Sequence, residues 1–180
     1  MTELESEMLK AAGRGDTPAI ENLIAQGVDP NCRDQWGNTP LSNAAWSGHV
    51  GALELLYKKG ADIGLACHED NDLLSHAAFN AQIDSVKWLL SKGADPKHVS
   101  KKTGESALHV VISKKDDSRR TVIVRLLVEA GSEVNLKTFA GKETGCFMRD
   151  AFLKGETPLH RAAAYGDKEM VQILLETGAD

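Results

Sequence analysis

Five segments of this chain end alike: "LIAQGVDP", "LYKKGADI", "LLSKGADP", "LVEAGSEV" and "LLETGAD". Their glycines, Gly27, Gly60, Gly93, Gly131 and Gly178, stand 33, 33, 38 and 47 residues apart. A base period of 33 residues with two late insertions limits the fold more than any other feature. A unit that short cannot bury an apolar face alone, so the copies must stack on one another.

A second landmark keeps the same phase. "GNTPLSNAAWSGH" begins at Gly37 and "GETPLHRAAAYGD" at Gly155. Thr39 and Thr157 suit N-caps, and Pro40 and Pro158 suit the first helical position, where a missing N–H costs nothing. Leu41, Ala44 and Ala45 then form a short apolar face at helical spacing. Gly48 and Gly166 are expected to end this helix in the left-handed conformation. A second helix follows, apolar at Leu53, Leu55 and Leu56 in one copy and at Val171, Ile173, Leu174 and Leu175 in another. About ten residues then lead to the next copy, too few for another helix.

The pattern GxTPLHxAA…G…LL…GAD resembles the ankyrin repeat. The resemblance covers nearly the whole chain. It implies an all-α solenoid of helix–turn–helix units with projecting β-hairpin loops, and a non-catalytic module that binds another protein through its concave face and loops. As one domain over 1–180, the copies fall at about 1–35, 36–69, 70–102, 103–137 and 154–180, with an insertion at 138–153.

Copies three and four depart from the pattern. Asp72 and Leu73 replace Thr-Pro in one, and Ala81 takes the place of the helix-ending glycine, which predicts a left-handed alanine. Ser106 and Ala107 replace Thr-Pro in the other, and Val111 takes the place of the second alanine of the Ala-Ala pair. These departures predict faster amide exchange over 70–125 than over 36–60. The first copy lacks the Thr-Pro-Leu opening, and its helix around Leu4 to Ala12 carries Glu3, Glu5, Glu7 and Lys10, as an end copy with a wet outer face would. The last copy stops at Asp180 directly after its second helix and shows no polar cap, as expected of part of a longer chain.

Composition excludes several classes. The formal net charge of −5 argues against a non-specific nucleic-acid binder, and the mixed-sign run 113–120 suits a solvated loop. No apolar run is long enough to cross a bilayer, and the acidic start "MTELESEMLK" is unlike a signal peptide. A monomer in the cytoplasm is the expectation. The three cysteines, Cys32, Cys67 and Cys146, fit neither a disulfide framework nor a zinc site. His68, Glu69 and Asp70 lack spaced partners for a metal. No nucleophile–base pair or phosphate loop stands out, so no cofactor, metal or catalytic residue is expected. His109 and His160 fall where the family's first helix carries a structural histidine, with Ser42 and Ser75 in its place in copies two and three.

In the ankyrin family the variable partner-facing positions flank the GxTPL motif and follow its Ala-Ala pair. The resemblance puts Gln35, Trp36, Asn38, Trp46 and Ser47 there in copy two. It adds His68, Glu69, Asn71, Phe79 and Asn80 in copy three, and Lys154, Glu156, Ala164 and Tyr165 in copy five. Trp88 aligns with Leu55 and Ile173 and is expected in the core. The insertion adds Lys142, Phe147 and Arg149 as candidates, an apolar anchor ringed by positive charge. Asn31 and Asn135 resemble the context modified by asparaginyl hydroxylases in eukaryotic ankyrin proteins, but ordinary turn hydrogen bonds are the simpler expectation.

Overall fold

A computed structural model describes residues 1–65, 71–112, 118–140 and 155–180. Its packing divides into two compact units, Met1–Ala94 and Asp95–Asp180. The boundary falls just after the second helix of the third copy.

The first unit holds three helix pairs: α1 (Glu3–Arg14) with α2 (Thr17–Ala25), α3 (Pro40–Ser47) with α4 (Val50–Lys58), and α5 (Leu73–Phe79) with α6 (Ile83–Ser91). First helices pack in the series α1, α3, α5, and second helices in the series α2, α4, α6. The second unit holds α7 (Ala107–Val111), α8 (Ser118–Glu129), α9 (Pro158–Tyr165) and α10 (Lys168–Glu176), with α7 against α9 and α8 against α10.

Local sequence sets the helix starts. Thr39 accepts the Ser42 N–H at 3.1 Å while the Ser42 hydroxyl accepts the Thr39 N–H at 2.9 Å. Each bond satisfies a donor that a helix start would otherwise leave open. Thr157 and His160 form the same reciprocal box in α9. Asp72 replaces the threonine without loss of function, since its carboxylate accepts the Ser75 N–H at 2.8 Å. Ser106 does so with His109. Copies three and four therefore keep their caps. Counted from those caps, Val111 occupies the first alanine position and not the expected second, which Ile112 takes. Both are fully buried.

The cores are layered between the pairs. Ala44, Ala45, Ala77 and Ala78 are buried and let first helices approach closely, while Leu53, Leu56, Val86 and Leu89 fill the second-helix layer. Each such leucine contributes about 1.5–3 kcal/mol by leaving water.

Four expectations are corrected. Gly166 is extended, not left-handed (φ −76°, ψ 171°). A side chain there would meet the Ala162 carbonyl oxygen at 2.7 Å, so crowding explains the glycine. Ala81 is left-handed as expected, at φ 54°. The loops are not laddered hairpins: among the described residues the one bridge is Val99 with Ser106. Glu156 does not face outward but is buried. Trp88 is half-buried at the surface and not in the core.

Candidate functional site

Trp46 and Phe79 occupy the same register on consecutive first helices, each directly after its Ala-Ala pair. Their rings stack, with centroids 5.5 Å apart and planes at 28°. His76 meets Trp46 edge-on at 5.7 Å, an arrangement suited to the positive ring edge and negative ring face. Trp46 stays 41% exposed. The buried alanines behind it force this, because a helix approaching that closely leaves a bulky ring at the next position no place but outside.

The turn before α3 is built by one carboxylate. Asp34 accepts the N–H of Trp36 at 2.9 Å, the N–H of Asn38 at 2.8 Å and the Asn38 side-chain amide at 2.8 Å. This leaves Gln35 exposed and Trp36 59% exposed. Asn38 is thus engaged within its own turn. Asn80 is also engaged, donating to the Trp46 carbonyl at 2.7 Å. It ties the end of α5 to the end of α3 and so fixes the stacked rings. Ser47 is half-buried, as is Tyr165 at the end of α9 in the second unit. His68, Glu69, Lys142, Phe147 and Arg149 lie outside the described residues, as do Lys154 and most of the insertion.

The structural residues explain what holds the turns. Asn31 donates to the Gly60 carbonyl at 3.0 Å and accepts the Asp62 N–H at 2.8 Å. Asn135 repeats this with Gly178 and Asp180. Each asparagine hooks its loop to the next copy. Lys97, at the same register, instead pairs with Glu133 at 3.1 Å.

Two clusters were not anticipated from sequence. In the second unit Arg161 is buried between Glu105 (2.8 Å) and Glu156 (2.9 Å) and donates to the His109 carbonyl at 3.0 Å. The His109 ring is also buried. Its Nδ1 faces the Ser106 N–H and hydroxyl at 3.3 and 3.0 Å, and its Nε2 faces the Glu156 carbonyl at 3.2 Å. A backbone N–H can only donate, so Nδ1 accepts and the ring proton sits on Nε2. Burial, aided by the Arg161 charge, pushes the His109 pKa down to about 4. The signal in sequence was an acidic residue before the cap in copies four and five, with arginine one position after the second histidine. In the first unit Glu54, Tyr57, Trp88 and Lys92 gather on α4 and at the end of α6.

The described residues include no group of three His, Cys, Asp or Glu side chains that could hold a metal, and no helix long and apolar enough to cross a membrane. Cys32 is a free, buried thiol.

The family model for ankyrin repeats, in three copies, matches residues 8–100 and 74–180. The chain belongs to the ankyrin-repeat family. Proteins of this family generally mediate protein–protein interaction and are generally non-catalytic. A 45-residue stretch is 42% identical to the 2-5A-dependent ribonuclease of Mus musculus, which is 24% of this chain and 6% of the ribonuclease. Stretches of 43 residues are 42% identical to two ankyrin repeat proteins of Rickettsia felis, covering 24% of this chain and 68% and 65% of theirs. This ankyrin-repeat chain therefore spans only a small part of the ribonuclease that it matches.

Proposed function

We propose that the chain is an adaptor or scaffold module that binds another protein through the ends of its first helices and the turns before them, without catalysis, cofactor or metal. The observation that carries this reading is the Trp46–Phe79 stack, with Trp46 exposed and Phe79 half-buried beside it. A pre-ordered aromatic pair can bury a large apolar area in a partner without loss of side-chain freedom. Gln35, Trp36, Asn38, Ser47, Asn80 and Tyr165 complete the described candidates, with His68, Glu69, Lys142, Phe147 and Arg149 beyond them. The reading takes the five copies as one domain acting as a cytoplasmic monomer, with no nucleic acid or membrane among its partners.

Trp46→Ala tests it. The loss of the stack costs about 1 kcal/mol of stability, whereas a hot-spot tryptophan costs about 2 kcal/mol of binding, roughly 30-fold in Kd. Binding equal to the parent's would reject the site. The insertion is tested separately. The Thr138 N–H donates to the Glu156 carbonyl at 3.0 Å, so its two ends already meet. Replacing 140–151 by a short turn should leave the fold intact and weaken partner binding if Lys142, Phe147 and Arg149 take part.

A second reading is a regulatory or inhibitory domain within a larger polypeptide. It is supported by the ribonuclease match, where the similar stretch is 6% of the protein. Immunoblotting the native source for the length of the polypeptide that carries this chain separates the two.

A further inference from the structure

The cluster on the second helices of the first unit has its own chemistry. The rings of Tyr57 and Trp88 stand at 87° with centroids 5.7 Å apart, forming a corner. Lys92 Nζ lies over both, 5.3 Å from the tyrosine centroid and 5.6 Å from the tryptophan centroid. Glu54 closes the third side: its Oε2 accepts the Trp88 indole N–H at 2.7 Å and stands 3.5 Å from Lys92 Nζ, while Oε1 is 3.5 Å from Lys58 Nζ. The indole N–H first, and then the Lys92 and Lys58 charges, hold the Glu54 carboxyl below its usual range.

Two ring faces and a carboxylate converging on one ammonium make a site for an organic cation. The resident cation is a poor match. A primary ammonium is strongly hydrated, and aromatic faces cannot replace that water. An alkylated ammonium has methyl groups where Lys92 has N–H bonds, spreads its charge over them and prefers such faces. The corner is also open, with Tyr57 40% exposed. Lys92 is the C-cap residue of α6, and its Nζ is held in the corner only by the 3.5 Å ion pair with Glu54 and the two ring faces, contacts that an arriving cation of better match can take over.

We propose that Tyr57, Trp88 and Glu54 form a recognition corner for an alkylated ammonium group, with Lys92 as a tethered occupant that yields to it. The site is carried by α4 and α6, and stands whether or not the Trp46–Phe79 row binds a partner. Two sources share this chemistry: a methylated lysine side chain in another polypeptide and a free quaternary ammonium compound.

The test follows the Trp88 indole N–H signal by NMR as tetramethylammonium chloride is added, with ammonium chloride at equal ionic strength as the control. Lys92→Ala removes the occupant and should bind tetramethylammonium about 10-fold more tightly than the parent, a change of the size a desolvated cation–π contact supplies. Ammonium should leave the signal in place. Glu54→Gln added to Lys92→Ala should weaken binding again, which needs no change to either ring. Short peptides bearing one trimethyllysine or one plain lysine then assign the source. Tighter binding of the trimethyllysine peptide than of tetramethylammonium assigns a methylated polypeptide, and equal or weaker binding assigns a free quaternary ammonium compound. The proposal is overturned if folded Lys92→Ala shows no saturable Trp88 shift with tetramethylammonium, or shifts equally with ammonium.

Discussion

Acid should unlock the second unit through His109. The ordinary imidazole pKa is about 6.5, and burial beside Arg161 pushes this one down to about 4. The unfolded chain therefore takes up the proton first. The stability given by the neutral ring is complete above pH 6.5 and is lost as pH falls through the window toward 4. The whole effect is about 3 kcal/mol, and about 2 kcal/mol of it is gone by pH 5. Geometry says the same: a proton added at Nδ1 would face the Ser106 N–H at 3.3 Å, donor against donor. The comparison is His109→Ser, the residue the chain itself uses as Ser42 in α3, where the hydroxyl closes the same capping box. The variant is less stable at pH 8, but it has no ring to titrate. Urea unfolding followed by circular dichroism at pH 8, 7, 6 and 5 gives the stability difference, and amide exchange in α7 and α9 assigns it to the second unit. Tryptophan fluorescence cannot do so, because Trp36, Trp46 and Trp88 all precede Asp95. The advantage of the parent over His109→Ser should shrink by about 2 kcal/mol from pH 8 to pH 5. Parallel pH profiles for the two proteins would refute the argument.

Three further outcomes follow from the same structure. Arg161→Met leaves Glu105 and Glu156 buried without their counter-charge and should cost about 3–5 kcal/mol in urea unfolding, with much of it recovered when Glu105→Gln and Glu156→Gln are added. Gly104→Ala should cost about 2 kcal/mol, because Gly104 has φ 73° and an added methyl group would stand 2.9 Å from the Phe139 ring and 3.0 Å from its backbone nitrogen. Cys32, whose thiol pKa burial raises to about 11, should react with a disulfide reagent at pH 8 far more slowly in the folded protein than in urea.

The fold was legible because each copy repeats the same local instructions. Thr39 and Thr157 announce helix starts, Gly27 and Gly60 announce left-handed ends, and a 33-residue period forces stacking. Ala81 was legible for the same reason, as it stands where the register demands positive φ. Gly166 misled because a glycine at a helix end can answer crowding as well as handedness. Trp88 misled because register gives the face of a helix but not its depth, and a partner such as Glu54 can hold an indole at the surface. The exposure of Trp36 and Trp46 followed from their places beside the capping motif and the Ala-Ala pair. The triad of Glu105, Arg161 and Glu156 did not, since it joins two copies 51 residues apart from Glu105 to Glu156, and charges before a cap usually face water. The capping substitutes Asp72 and Ser106 also show that copies three and four lose less than their motifs suggest. Slower exchange over 36–60 than over 70–125 would therefore have to come from the left-handed Ala81 and the short α7.

The central claim is that the Trp46–Phe79 row takes up a partner protein. Quantitative affinity capture from the native source, with the parent, Trp46→Ala and Phe79→Ala as baits shown by circular dichroism to be folded at the assay temperature, tests it most directly. The account predicts at least one saturable partner of the parent whose Kd rises about 30-fold on Trp46→Ala and by a comparable factor on Phe79→Ala. Partners held with unchanged Kd by both variants would contradict it.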